Sequence, residues 1–233
     1  MRSLTILTIF CALLSCKSDK KQNETADSNA IKKVSNEKKV LTVSEKIAKA
    51  HGIEHWNKVN KIAFTFNVDV NGNHSERSWV WKPKTDEVTM ISANDTINYN
   101  RKSVDSLSLN ADRGFINDKF WLLAPFQLVW DSGTEVTEPI ITDAPISGEQ
   151  MNKITLTYTG DGGYTPGDAY DFFYTDEFKI KEWVFRKGNA SDPSLTTTFE
   201  NYENFKGIEI AKDHKQGGMD WNLYFTDIDI SLE

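Results

Sequence analysis

The ten residues 61–70, KIAFTFNVDV, constrain this chain more than any other stretch. Ile62, Phe64, Phe66, Val68 and Val70 alternate with Ala63, Thr65, Asn67 and Asp69, a period of two that only an extended strand can place on one face. Asn71-Gly72 follows, the dipeptide best suited to a two-residue hairpin turn. The chain then returns as SERSWVWKP, with Trp79 and Trp81 on one face and Pro83 as its stop. The same grammar recurs in EVTMIS, TINYN, KITLTYTG, AYDFFYT, FKIKEWVFRKG, LTTTFENYENF, IEIAKDH and WNLYFTDIDISL. Period two also puts Trp183 and Phe185 on one face. The pattern predicts a mainly β (α+β) domain of about ten antiparallel strands. So many strands curl or split rather than stay flat, which predicts a half-barrel with a greasy concave side. No internal repeat is present, and no alternation of strand and helix as in a doubly wound sheet.

Ahead of the strands, TVSEKIAKAHGIEHWNKV reads as a helix capped by Thr42 or Ser44, with Ile47, Ala50, His51, Ile53 and Trp56 at roughly helical spacing. A short helical plug is expected near NADRGFINDKF. The adjoining NDKFWLLAPFQLVWD, residues 117–131, is far more apolar than a chain that is 39% hydrophobic overall. Pro125 interrupts it, and it is too short to span a bilayer. It reads as core that also serves as the wall of a cavity.

The first residues carry a different message. Arg2 precedes an apolar run from Leu4 to Leu14, the length of a secretory h-region rather than of a membrane span. The run ends in LLSC, which resembles a bacterial lipobox, and this implies a signal peptide over 1–15 and lipidation at Cys16. Both cysteines, Cys11 and Cys16, fall in this region, so no disulfide is available further on. Multiple acyl chains (palmitate among them) would hold such a protein durably on a membrane. Lys17 stands where aspartate would signal inner-membrane retention, which favours the outer membrane. Residues 16–40 read as a tether, with seven lysines against four acids, and 41–233 as a single β-rich domain. That domain carries 19 basic and 30 acidic residues, a net −11. Nucleic-acid binding, which rests on phosphate neutralisation, is not expected. A monomer is.

With these features in hand, the chain resembles an uncharacterised family of lipoproteins found in Bacteroidetes, especially flavobacteria. The pieces that carry the resemblance are AHGIEHW, FINDKFWLLAPFQL and GGYTPGDAYDFFYTDEFKIKEWVFRKG, within residues 45–230. In strand pattern that family is similar to the LolA and LolB lipoprotein-sorting factors, curved sheets closed by helices around a hydrophobic cavity. The resemblance implies an envelope protein that binds a lipid, acyl chain or lipoprotein without catalysis or cofactor. A scaffold lipoprotein with a filled core is the alternative.

Three other chemistries are legible. HGIEH at 51–55 matches the inverted zinc-protease signature H-x-x-E-H, in which a helix would put His51 and His55 on one face with Glu54 as base. Only His74 and His214 remain as further histidines, so a third ligand would have to be a carboxylate. GDGGYTPGDAYD gathers Asp161, Asp168 and Asp171 among glycines, oxygen ligands of the sort calcium takes, though not at EF-hand spacing. A carboxylate pair for glycoside hydrolysis stays open, and seven tryptophans could stack a sugar. G-x-S-x-G does not occur. The expected cavity wall comprises Phe64, Phe66, Trp79, Trp81, Trp121, Leu123, Phe126, Trp183 and Phe185.

Overall fold

Strand β1 (Val59–Val70) runs through the middle of the first sheet. On one side it pairs with β2 (Asn73–Lys82) through the predicted hairpin, with Asn71 and Gly72 both at positive φ. On the other it pairs with β13 (Trp221–Leu232). The register sets Ile62 opposite Trp81 and Phe64 opposite Trp79, so the apolar alternation of the sequence becomes one continuous inner face. The sheet is completed by β3 (Glu87–Ile91), β4 (Thr96–Asn100), β11 (Glu200–Phe205) and β12 (Ile208–Lys215), in the order β11-β12-β13-β1-β2-β3-β4. The structure, a computed structural model, describes residues 39–160 and 164–233.

A second antiparallel sheet has six strands. β7 (Gln150–Tyr158), β8 (Ala169–Tyr174), β9 (Ile180–Arg186) and β10 (Leu195–Thr198) follow one another, and β5 (Thr134–Val136) and β6 (Ile140–Asp143) share the far edge of β7. The sheets meet where the chain passes from β10 into β11. Phe199 stands at that crossing: its N–H donates to Lys181 O at 2.7 Å, and its ring touches both Trp183 of β9 and His214 of β12. The thirteen strands among the described residues therefore form two open antiparallel sheets, mainly β with a few helices, as the sequence pattern predicts.

The helices are where expectation and structure part. α1 (Val43–Ala50) is capped by Thr42, whose hydroxyl accepts from Glu45 N while the Glu45 carboxylate accepts from Thr42 N, a reciprocal capping box. It ends eight residues on, instead of running to Trp56. Gly52 sits at φ +86°, and a side-chain carbon there would lie 1.9 Å from Gly207 O. A separate 3-10 turn, Ile53–Lys58, follows. The expected short plug is instead two helices, α2 (Leu109–Leu122) and α3 (Ala124–Trp130). Pro125 does not break the run: it occupies the first turn of α3, where its missing N–H has no partner to lose. The apolar stretch 117–131 is thus helical and lies between the sheets. Among the described residues no helix is long and apolar enough to cross a membrane.

Candidate functional site: an aromatic cleft between the sheets

α2 is pinned to the first sheet by a buried charge. Asp118 is fully buried and accepts from Arg77 Nε at 2.5 Å, Arg77 Nη2 at 2.6 Å, Trp79 Nε1 at 2.8 Å and Asn117 Nδ2 at 3.0 Å. The fork-shaped guanidinium and two further donors leave the carboxylate oxygens well satisfied. Phe115, one turn earlier on the same side, packs against Trp79 and Trp81. This fixes the opposite side of α2, where Phe120 and Trp121 meet Trp183 of the second sheet.

Contact between α2 and the two sheets is incomplete at one end, leaving a cleft of about 370 Å³. Phe66, Val68, Trp221 and Leu223 line it from the first sheet; Tyr170, Trp183, Phe185 and Leu195 line it from the second. Asn117, Phe120 and Trp121 come from α2, and Tyr164 and Thr165 from the β7–β8 connection. Eight of the thirteen are aromatic and none is charged. Tyr164 stacks on Phe120 with centroids 4.2 Å apart and planes 9° off parallel; Tyr170 stacks on Phe185 at 5.1 Å.

The polar atoms of the cleft gather around Asn117, Tyr164, Thr165 and Tyr170. Tyr164 donates to Asn117 Oδ1 at 3.0 Å, and the Thr165 and Tyr170 hydroxyls lie 3.1 Å apart. Burial pushes both tyrosine hydroxyls above their ordinary range, so they stay protonated. A larger groove of about 600 Å³ lies between the start of α1 and residues 136–139. Its walls carry Glu45 and Glu138 and no aromatic ring.

Four of the nine wall residues expected from sequence, Phe66, Trp121, Trp183 and Phe185, come together in this cleft. The other five are buried elsewhere. Phe64 packs on Phe225, Trp79 and Trp81 lie under Phe115, Phe126 contacts Trp56 and Trp130, and Leu123 is core. Phe64, Trp79 and Trp81 belong to the inner face of the first sheet, the two tryptophans under α2, whereas Leu123 and Phe126 lie on the helices themselves. Val68, Trp221, Leu223 and Tyr170 were missing from the expected wall although period two marks them. Val68 follows Phe66 on its face, Trp221 and Leu223 alternate with Phe225, and Tyr170 sits opposite Phe185 in the β8–β9 ladder.

The H-x-x-E-H spacing does not fall on one helix. His51 closes α1, with Nδ1 donating to Ile47 O at 2.8 Å and Nε2 3.2 Å from the Tyr202 hydroxyl. His55 lies on the following 3-10 turn, its ring against the backbone of Gly207. Asp171 is a buried ion-pair partner, accepting from Arg186 Nε at 3.0 Å and Thr155 Oγ1 at 2.5 Å, and Asp168 accepts from Gly188 N at 2.7 Å. Protein donors thus take up oxygens that calcium would need. Asp161, like Cys16, lies outside the described residues. Among the described residues no group of three or more histidine, cysteine or acidic side chains is placed to hold a metal.

Fold and cleft together define two open antiparallel sheets held apart by a helical pair, with an uncharged aromatic cleft at one end. No family model and no curated protein sequence matches the chain. It is similar to several solved structures. One is a LolA superfamily protein from Nitrosomonas europaea, at 11% identity and a TM-score of 0.48 over 82% of this chain and 94% of that one. A DUF1329 family protein from Desulfovibrio piger gives 7% and 0.45 over 81% and 92%. A proposed outer membrane lipoprotein-sorting protein domain from Vibrio parahaemolyticus gives 11% and 0.43 over 81% and 93%.

Proposed function

We propose that this protein is a lipid-anchored envelope protein that binds one apolar ligand, without catalysis, in the cleft between its sheets. The observation that carries the reading is the cleft lining: about 370 Å³ of space with eight aromatic rings and no charge among the described residues. Pockets that hold small ligands have this character, mostly apolar walls with a few placed polar groups. At roughly 30 Å³ per water-sized group, the space suits about a dozen heavy atoms. That is one acyl chain or ring system rather than the several chains of a lipoprotein. Most of the lining rings are already buried, but Val68, Tyr164, Phe185, Leu195 and Trp221 are only half-buried, and a scaffold protein would gain stability by covering them. The ligand is read by native mass spectrometry of the protein as purified.

The anchor is the second half of the proposal, and LLSC at 13–16 motivates it. Acylation at Cys16 would place the domain on a membrane of the cell envelope, with the outer membrane favoured by Lys17. Replacing Cys16 by Ala is expected to move the protein from the membrane fraction to the soluble fraction of disrupted cells. A protein that stays membrane-bound after Cys16→Ala contradicts the anchor and leaves the cleft reading to be judged on its own.

A further inference from the structure

The chemistry of the cleft wall narrows the ligand further, on the footing that the cleft is a binding site. We infer that its occupant is a neutral, flat ring system carrying a carbonyl-type oxygen, rather than a saturated acyl chain or a charged lipid.

Three observations converge on this class. The first is charge. None of the described residues lining the cleft is ionised, and Arg77, whose guanidinium lies 5.2 Å from the ring centre of the wall residue Phe66, is committed to Asp118 through two hydrogen bonds. A fatty-acid carboxylate or a phosphate seated here would be desolvated with no counter-ion, which is strongly unfavourable. The second is shape. Val68, Leu195 and Leu223 are the only aliphatic side chains in the lining; rings supply most of the rest. Ring faces reward another flat ring with stacking beyond simple area burial, a gain that a flexible chain does not match and for which it must also give up rotamer freedom.

The third is an unspent donor. The Thr165 and Tyr170 hydroxyls are 3.1 Å apart, and whichever donates to the other, one hydroxyl hydrogen remains. Neither hydroxyl has another hydrogen-bond partner among the described residues. A carbonyl oxygen on the edge of a ring would take that hydrogen, while a pure hydrocarbon would leave it facing an apolar surface.

The test uses the purified full chain, freed of co-purified ligand by solvent extraction and refolded, with three probes. 2-Acetylnaphthalene and 1-dodecanol have the same carbon and oxygen count, one a flat ketone and the other a neutral saturated chain. 2-Ethylnaphthalene keeps the ring and lacks the oxygen. Titration calorimetry should show the ketone binding more tightly than the alcohol, by about threefold or more, although the chain buries more apolar surface. The double variant Thr165→Val with Tyr170→Phe should lose roughly tenfold for the ketone and less than twofold for 2-ethylnaphthalene. Dodecanol binding as tightly as the ketone, or more so, would overturn the ring assignment while leaving an apolar binding cleft. Equal ketone affinity in the double variant would overturn the hydroxyl contact. Binding of none of the probes would overturn both this inference and the cleft reading. The wild-type comparison alone decides the first point, even if the double variant does not fold.

Discussion

Between pH 6.5 and pH 4 the folded protein is expected to lose several kcal/mol of the stability it has at neutral pH. His51 and His214 are both essentially inaccessible, and burial lowers each from 6.5 to about 4. At His51 the Ile47 and Glu209 oxygens act the other way, and Lys179 adds to the lowering. His214 is opposed by the Thr198 carbonyl and the Asp213 and Glu200 charges. In each ring Nδ1 faces a backbone carbonyl and carries the proton, so Nε2 is the site that must charge. The His214 Nε2 has no partner and is surrounded by Trp121, Phe199 and Phe225.

Above pH 6.5 both folded and unfolded chains hold these imidazoles neutral, and the stability is fully present. Between 6.5 and 4 the unfolded chain takes up protons that the folded one refuses, so stability falls as pH falls. Each histidine accounts for about 3 kcal/mol over that window, comparable in sum to the whole stability of many domains. Urea denaturation at pH 7 and at pH 4.5 measures the effect, and His214→Phe should remove roughly half of the pH dependence. A denaturation midpoint unchanged between the two pH values would show that neither ring is buried as described.

Removing the Asp118 carboxylate should cost about 2–4 kcal/mol, because the buried Trp79 N–H loses its acceptor while Arg77, whose side chain is 37% exposed, can turn its charge to water. Asp118→Ala leaves the Trp79 indole N–H buried without an acceptor and Arg77 without its anion. It also releases the ion pair that ties α2 to β2. For a domain of this size the thermal midpoint should drop by roughly 4–16 °C. Ligand binding should weaken as well, because Asn117, Phe120 and Trp121 are set by the same helix. A cost below about 1 kcal/mol would mean that Arg77 and Asp118 are hydrated rather than locked together.

How much of this was legible in the sequence can be judged from particular residues. Alternation from Ile62 to Val70 and the Asn71-Gly72 turn gave the central hairpin with its inner face. A strand states its own period, and the turn needs two positive φ values that few other pairs supply. Residues 109–130 declared no more than a short plug, because the buried side of α2 carries Asp112 and Asp118 among its aromatic rings, which breaks up the apolar stripe. β5 and β6 escaped for the opposite reason. They are three and four residues long, exposed, and separated by Glu138-Pro139.

The same cause explains the partial view of the cleft. Period two told which residues face inward, Phe64 and Trp81 as much as Phe66 and Trp183. It could not tell which of them α2 and α3 would cover. Nor could spacing reveal that α1 stops before His55, since that depends on Gly52 meeting Gly207 from the far end of the chain. Asp118 gave no signal at all, because Arg77 lies 41 residues away and only the packed helix brings the two together.

The most direct measurement is native mass spectrometry of the purified wild-type protein beside Leu195→Arg, each followed by solvent extraction. Leu195 is only half-buried on the cleft wall, so an arginine there can be accommodated while placing a charge in the apolar space. The account predicts a discrete mass increment on the wild type that extracts as a small apolar compound, and its loss in Leu195→Arg with the fold retained. A bare wild-type mass that stays bare after incubation with apolar ligands would contradict the binding function and leave the aromatic cleft as imperfect packing in a scaffold.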